Sequence, residues 1–368
     1  MDDIKSLKPE TMFHHMRERL PILCEDGDAR VKRMMRWHFS EETGSPFWLR
    51  KKPHLGFDPV QDIESLDSLR YFGLFNKEEL RAISLKDLIP RGLSDRHRRV
   101  LETGGTTGAP CRIVDVNINT HNVTIYRTML EARGLMGGDA LAMTPSGPHA
   151  YGRFVISLVD SWKGSTYFID FDPRWVKRII RDEKIAQQYI GHLCEQAIVI
   201  LQTQRPSLLF TTSRLLSELV LRLSQPLSHF GVQAVCTGGT CCSPEERRHL
   251  QDNYLQGIQW IDTYGNTLMG HALQGDPWTD CPVSSYYLIP PLSYIRVVSY
   301  EDWNRQVEYG TRGQVLLSTL WDELFIPNLL ERDSAVRVGP HPWFPLDGVR
   351  NIGIIPGAHE NEMIEGVY

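Results

Sequence analysis

Lysine is missing from the second half of this chain: the last is Lys184, and residues 185–368 contain none. Long apolar runs are missing too. The longest, residues 197–201, is far short of the ~18 residues a membrane-spanning helix needs. The opening MDDIKSLKPE is acidic and polar, so no secretory signal is expected. Positive charge is not in excess. Forty Lys plus Arg against forty-five Asp plus Glu leave −5, and bulk charge therefore gives no support to a nucleic-acid or anionic-membrane partner. The seven cysteines are an odd number in a long chain, which suits reduced thiols and a cytoplasmic location. Paired CxxC-type spacing is absent around Cys236, Cys241, Cys242 and His249, so ordinary packing is the reading there and no metal is expected. No GxSxG elbow accompanies Ser213, which argues against a hydrolase built with His229 or His249. Internal repeats are also lacking.

What is present is a change of pattern along the chain. Residues 1–100 are rich in Arg and His and carry short helical patterns such as 11–23, which predicts a helical lead-in packed on a core. Residues 101–275 alternate short apolar runs (141–144, 165–170, 207–212, 232–237 and 259–264) with longer helical stretches at 175–203 and 213–228. In the latter stretch Leu215, Leu219 and Leu223 recur at i, i+4, adjoined by Leu216 and Val220, the apolar stripe of a packed helix. Such alternation predicts an α/β fold with a parallel sheet covered by helices. Residues 276–345 are strand-like without helices, which predicts a small β-barrel, and 346–368 read as a hinge-like, loop-rich tail.

Three stretches carry candidate chemistry. Thr103-Gly104-Gly105-Thr106-Thr107-Gly108-Ala109-Pro110 packs glycines and hydroxyls densely enough to wrap an anion in N–H and O–H donors. It fails the Walker spacing and no lysine follows, so composition alone leaves a phosphate cradle and a structural turn equally open. The second stretch, Thr237-Gly238-Gly239-Thr240, follows a strand. It leads into Ser243-Pro244-Glu245-Glu246, where Ser243 reads as an N-cap, Pro244 as the first helical residue and Glu246 as the return half of a capping box. Open α/β sheets place ligands at such strand ends, although an ordinary tight turn fits this piece as well. The third stretch is Asp262-Thr263-Tyr264-Gly265-Asn266-Thr267-Leu268.

In their order and spacing these pieces resemble the acyl-adenylate-forming superfamily, most closely its phenylacetate–CoA ligase branch. Residues 103–110 are similar to its SSGTTGKP loop, 237–240 to GAEP, and 262–268 to DIYGLSE. Supporting matches lie at 45–48 with 77–81, 150–154, 211–213 and 310–319. The resemblance implies the large N-terminal portion of that fold, two helix-flanked sheets plus a small β-barrel, with the C-terminal lid domain absent at this length. It further implies ATP as cosubstrate, with Thr103, Gly104, Gly105, Thr106, Thr107 and Gly108 around phosphates. Thr237, Gly238, Gly239 and Thr240 would line the adenine edge, with Tyr264 packed on the ring and Asp262 accepting from its amino group. Asp333 would meet the ribose and Thr267 the α-phosphate, so that Thr106, Thr107 and Thr267 are the catalytic candidates. An aryl carboxylic acid would lie against His149, Tyr151, Arg153, Phe154, Gly238 and Gly265, with His149 or Arg153 as partner of its carboxylate.

Departures from the family pattern remove charge. Leu268 stands where a glutamate helps hold magnesium, so magnesium dependence is expected to be weak; Ala109 and Cys111 stand where a lysine is usual, and Thr240 and Gln314 where glutamates are. The distal catalytic lysine of the lid has no counterpart after Lys184. The length also resembles a shortened adenylating enzyme of phenazine antibiotic biosynthesis, which implies a flat phenazine carboxylate as the acid. An acceptor or reductase partner protein would take the activated acyl group, and CoA is not expected to be required. The alternative is a non-catalytic carrier or scaffold that kept the pocket and lost its charges.

Overall fold

The computed structural model describes residues 9–103, 109–179, 181–239, 242–275 and 283–355. Strands β1 (Arg99–Glu102) and β2 (Arg112–Asp115) form an antiparallel pair of their own. Next come β3 (Ala140–Ala142), β4 (Thr166–Phe168), β5 (Leu208–Thr211), β6 (Ala234–Gly238) and β7 (Gln259–Asn266). The last six are β8 (Gly270–Gln274), β9 (Ser285–Tyr287), β10 (Ser293–Val298), β11 (Arg312–Leu320), β12 (Phe325–Val338) and β13 (Gly348–Ile354). All eleven strands from β3 onward belong to one sheet, in the order β10-β11-β12-β13-β9-β8-β7-β6-β5-β3-β4.

The parallel half runs β4-β3-β5-β6-β7, where the sequence alternates strand and helix. Residues along these strands point alternately to two cores. Ala140, Ala142, Leu208, Phe210, Ala234, Cys236 and Ile261 face one of them, while Leu141, Leu209, Val235 and Trp260 face the other. Helices Ile118–Ala132 and Ala150–Ser161 cover the first core, and helices Glu183–Gln204, Ser213–Val220 and Pro244–Asn253 the second. From β8 onward the pairing is antiparallel.

Several sequence expectations are corrected. Apart from the β1–β2 pair, the strands form one sheet, because the β7–β8 hairpin joins its parallel and antiparallel halves, and among the described residues β10 pairs with β11 alone, so the antiparallel part is open rather than a closed barrel. The helix read at 175–203 is two, Pro173–Ile179 and Glu183–Gln204, with Asp182 capping the second by accepting from the Ile185 amide at 3.1 Å. The helix read at 213–228 stops at Val220, leaving Leu223 outside it. The loop-rich tail contains β13, whose alternation is interrupted by Asn351 at φ 50°.

The helical lead-in is tied to the turn between β11 and β12. Arg30, 1% exposed on helix Gly27–Phe39, donates through Nε to the Leu320 carbonyl at 2.8 Å and meets Asp322 at 3.1 Å. Trp37 donates to the Asp322 carbonyl at 2.8 Å and Trp48 to that of Phe325 at 3.2 Å. Buried Glu323, on the same turn, accepts from the backbone amides of Val116 and Asn117 just before helix Ile118–Ala132.

Candidate functional site

The Thr237–Gly239 and Asp262–Leu268 stretches meet at the carboxyl ends of β6 and β7. Parallel pairing sets Thr237 beside Asp262 and Gly238 beside Thr263. The Thr237 hydroxyl donates to Asp262 Oδ1 at 2.7 Å and accepts from Trp260 Nε1 at 2.8 Å. Asp262 Oδ1 also accepts from the Thr263 amide at 3.1 Å, while Oδ2 meets Arg247 Nη1 at 3.3 Å and accepts from the Tyr286 hydroxyl. Four donors match the roughly four acceptor positions of a carboxylate. Asp262 is thus turned into the protein, and Arg247, lying over the Trp260 ring at 4.4 Å, supplies its counter-charge. No sequence motif marks Arg247 or Tyr286; only the fold brings them together.

Beyond Asp262, β7 continues to Asn266. Gly265 is required there by closeness, since a Cβ would stand 2.3 Å from the Gly270 carbonyl oxygen. Asn266 Oδ1 accepts from the amides of Leu268 (2.8 Å) and Met269 (3.1 Å), closing the turn into β8. The Tyr264 hydroxyl donates to Asp333 Oδ2 at 2.7 Å. Burial pushes the Asp333 carboxyl up from its ordinary range, partly offset by that bond. Beside it, Glu331 is paired with Lys77 at 3.0 Å and accepts from Asn266 at 3.2 Å. The Thr267 hydroxyl donates to the Glu102 carbonyl at 3.4 Å, bringing the third stretch onto the start of the first. Leu268 is fully buried and offers no metal donor.

The first stretch is clasped at its ends. The Thr103 amide donates to the Cys111 carbonyl and the Cys111 amide donates to the Thr103 hydroxyl, both at 2.9 Å. Thr103 therefore acts as a loop anchor. Gly104, Gly105, Thr106, Thr107, Gly108 and Thr240 lie outside the described residues. Next to the clasp, the Glu102 carboxylate accepts from Arg112 Nε at 2.9 Å and from Arg174. Lys177 lies one helical turn beyond Arg174, and its ammonium is pushed down by burial and by the charges of Arg332 and Arg174. His149 is 3% exposed, and its backbone forms an isolated parallel β-bridge with that of Glu102; burial holds its ring toward the neutral form, opposed by Asp172 and helped by Lys177.

The expected aryl wall is largely core. Phe154 is 1% exposed, 4.3 Å from the His271 ring and 5.1 Å from that of Tyr126. Tyr151 is buried as well. Its hydroxyl donates to the Cys236 carbonyl at 3.3 Å, and its ring edge lies 3.6 Å from where a Cβ on Gly238 would stand. Arg153 is half-buried, with Nε enclosed and without a hydrogen-bond partner among the described residues. Gly239, at φ 81°, makes the turn after β6 that an L side chain would strain.

No family model matches the chain, and no curated protein matches it in sequence. Among solved structures it is similar to 2-hydroxyisobutyryl-CoA ligase in the postadenylation state with an R3-HIB-AMP ligand, at TM-score 0.66 and 15% identity, over 95% of this chain and 71% of that one. The open conformation of that ligase with 2-HIB-AMP and CoA gives TM-score 0.63 at 14% identity, over 90% and 69%. Its thioesterification state gives 0.59 at 15% identity, over 95% and 72%. At these identities the likeness establishes a shared fold. Among the described residues no helix is long and apolar enough to cross a membrane.

Proposed function

We propose that this chain activates a carboxylic acid by adenylation. A carboxylate oxygen of the acid attacks the α-phosphorus of ATP, an acyl–oxygen–phosphorus bond forms, the bond to the β-phosphate oxygen breaks and pyrophosphate leaves. The observation that carries the reading is convergence. Thr237 and Asp262 are paired at the ends of β6 and β7, and Thr267 reaches Glu102, the residue before the Thr103–Pro110 stretch, in a fold shared with a ligase that binds acyl-AMP.

In this reading Tyr264 packs on adenine, Asp333 orients the ribose, and Thr106, Thr107 and Thr267 face the α-phosphate. Asp262 becomes a positioning residue that holds the β6 and β7 ends together, because its oxygens are committed. The acid is an aryl carboxylate, a phenazine carboxylate such as the griseoluteic acid pathway would supply, bordered by Gly238, Gly265, Tyr151 and His149. Phe154 supports Tyr151 from behind, and Arg153 attracts the carboxylate. Binding acid and nucleotide side by side supplies proximity, and a carboxylate gains a leaving group for later reduction or acyl transfer to a partner protein.

ATP–pyrophosphate exchange with a panel of aryl and phenazine acids tests the proposal. Exchange with one acid, lost in T106A/T107A, is the expected result. Full burial of Leu268 in place of a magnesium ligand favours the carrier reading instead. Silence across the panel with the acids demonstrably bound would establish it.

A further inference from the structure

We infer that Lys77, on helix Lys77–Ala82 of the lead-in, is a positioning residue that acts through Glu331 and Asn266 to fix the turn carrying Thr267. The inference rests on the adenylation reading for one point, that this turn faces the α-phosphate.

Lys77 is set in place before it meets Glu331. The Phe75 amide donates to the Asn328 carbonyl at 2.7 Å, and Asn328 Nδ2 donates to the carbonyls of Leu69 (2.7 Å) and Gly73 (3.1 Å), which seats this part of the lead-in on β12. Asn76 then caps the helix by accepting from the Glu78 amide at 3.0 Å. From its first position Lys77 Nζ reaches both oxygens of Glu331, at 3.0 and 3.2 Å. The Glu331 side chain is only 7% exposed, and its Oε1 also accepts from Asn266 Nδ2 at 3.2 Å. The other end of the Asn266 amide accepts from Leu268 and Met269, so Thr267 lies inside a turn held by one side chain. The Lys77 ammonium is spent on Glu331 and therefore acts on the turn, not on a ligand.

Charge is what the relay depends on. A carboxylate this buried keeps its place only with a counter-charge. Without Lys77, Glu331 turns toward solvent, Asn266 Nδ2 loses its acceptor and the turn loosens. A neutral glutamine at 331 needs no cation, and its carbonyl oxygen still accepts from Asn266.

Hydrogen exchange of segment 264–270, with calorimetry using AMP and ATP, tests this on the full chain. K77M is expected to speed exchange in that segment and to weaken AMP binding, each by about ten-fold. K77M/E331Q is expected to restore both toward wild type, which packing lost at Lys77 would not allow. R50M breaks another lead-in ion pair, Arg50 with Asp87 at 3.0 Å, and is expected to move neither. If K77M is too unstable to compare, recovery of its melting temperature in K77M/E331Q reads the same coupling. Wild-type exchange in K77M, or a double variant no better than K77M, would overturn the relay. A loosened turn at unchanged AMP affinity would overturn its bearing on the nucleotide. Wild-type protein that binds neither AMP nor ATP, with the turn loosened in K77M and tightened again in K77M/E331Q, would instead overturn adenylation and leave the relay standing.

Discussion

Asp262 shows how a residue can be legible as important while its role is not. Its place in a strand-end motif marks it, but Arg247 and Tyr286, which decide what its carboxylate does, come from a helix and a strand that no local pattern connects to it. Asp262→Asn keeps the shape and removes the charge opposite a buried guanidinium. Breaking such a pair destabilises by about 3–5 kcal/mol, and urea unfolding should show a loss of that order. A variant as stable as wild type would mean the cluster carries little of the fold's stability. Glu323 offers a second test. Burial raises its pKa from 4.5 to about 7, against the pull of two backbone amides. A raised carboxyl pKa means the folded chain binds the proton more tightly than the unfolded one, so this group's contribution to stability is lost as pH rises from about 4.5 through about 7. Glu323→Gln keeps the acceptor and removes the titration. It should therefore be more stable than wild type at pH 8, by an amount on the order of 3 kcal/mol, with the gap closing toward pH 4.5. A gap independent of pH would rule out this titration as its source.

At the scale of elements, the parallel half was readable because short continuous apolar runs, buried throughout β3, β5 and β6, differ from 3.6-residue stripes. The break between helices Pro173–Ile179 and Glu183–Gln204 was not, since no Gly or Pro stands there and a capping aspartate does the work. Nor was β13 readable, with glycines at 348 and 353 and a left-handed Asn351 interrupting its alternation. Helix Pro244–Asn253 was legible at its start. The Ser243 hydroxyl accepts from the Glu246 amide at 3.1 Å as expected, while the Glu246 carboxylate accepts from Ser217 at 3.0 Å on the neighbouring helix. The expected reciprocal cap is therefore partly spent on joining two helices. Ser243→Ala should destabilise by about 0.5–2 kcal/mol, and Ser243→Asp should restore most of it, as read from urea midpoints at unchanged slope. If alanine is neutral, the helix start is held by packing and not by its cap.

For the whole molecule, the question is whether residues 9–98 form a separate layer or part of one cooperative unit. Composition separates them, since the Arg- and His-rich lead-in looks unlike the alternating core that follows. The hydrogen bonds join them. Arg30 reaches 290 residues along the chain to the Leu320 carbonyl, and His38, Trp37 and Trp48 bond the backbone oxygens of Trp321, Asp322 and Phe325 in and beside the same turn. Buried carbonyls that lose such donors are left unsatisfied, so the lead-in cannot peel away without exposing the β11–β12 turn to that penalty. A single unfolding transition follows: tryptophan fluorescence, which samples Trp37 and Trp48 in the lead-in, Trp260 in the sheet and Trp321 in the β11–β12 turn, should coincide with far-ultraviolet circular dichroism. Arg30→Met removes the charge and the donors while keeping much of the volume. It should lower stability by about 3 kcal/mol and split the two probes, the lead-in melting first. Coincident transitions in the variant at wild-type stability would show that the apolar contacts of Met34, Met35 and Phe39 hold the layers together without the buried guanidinium.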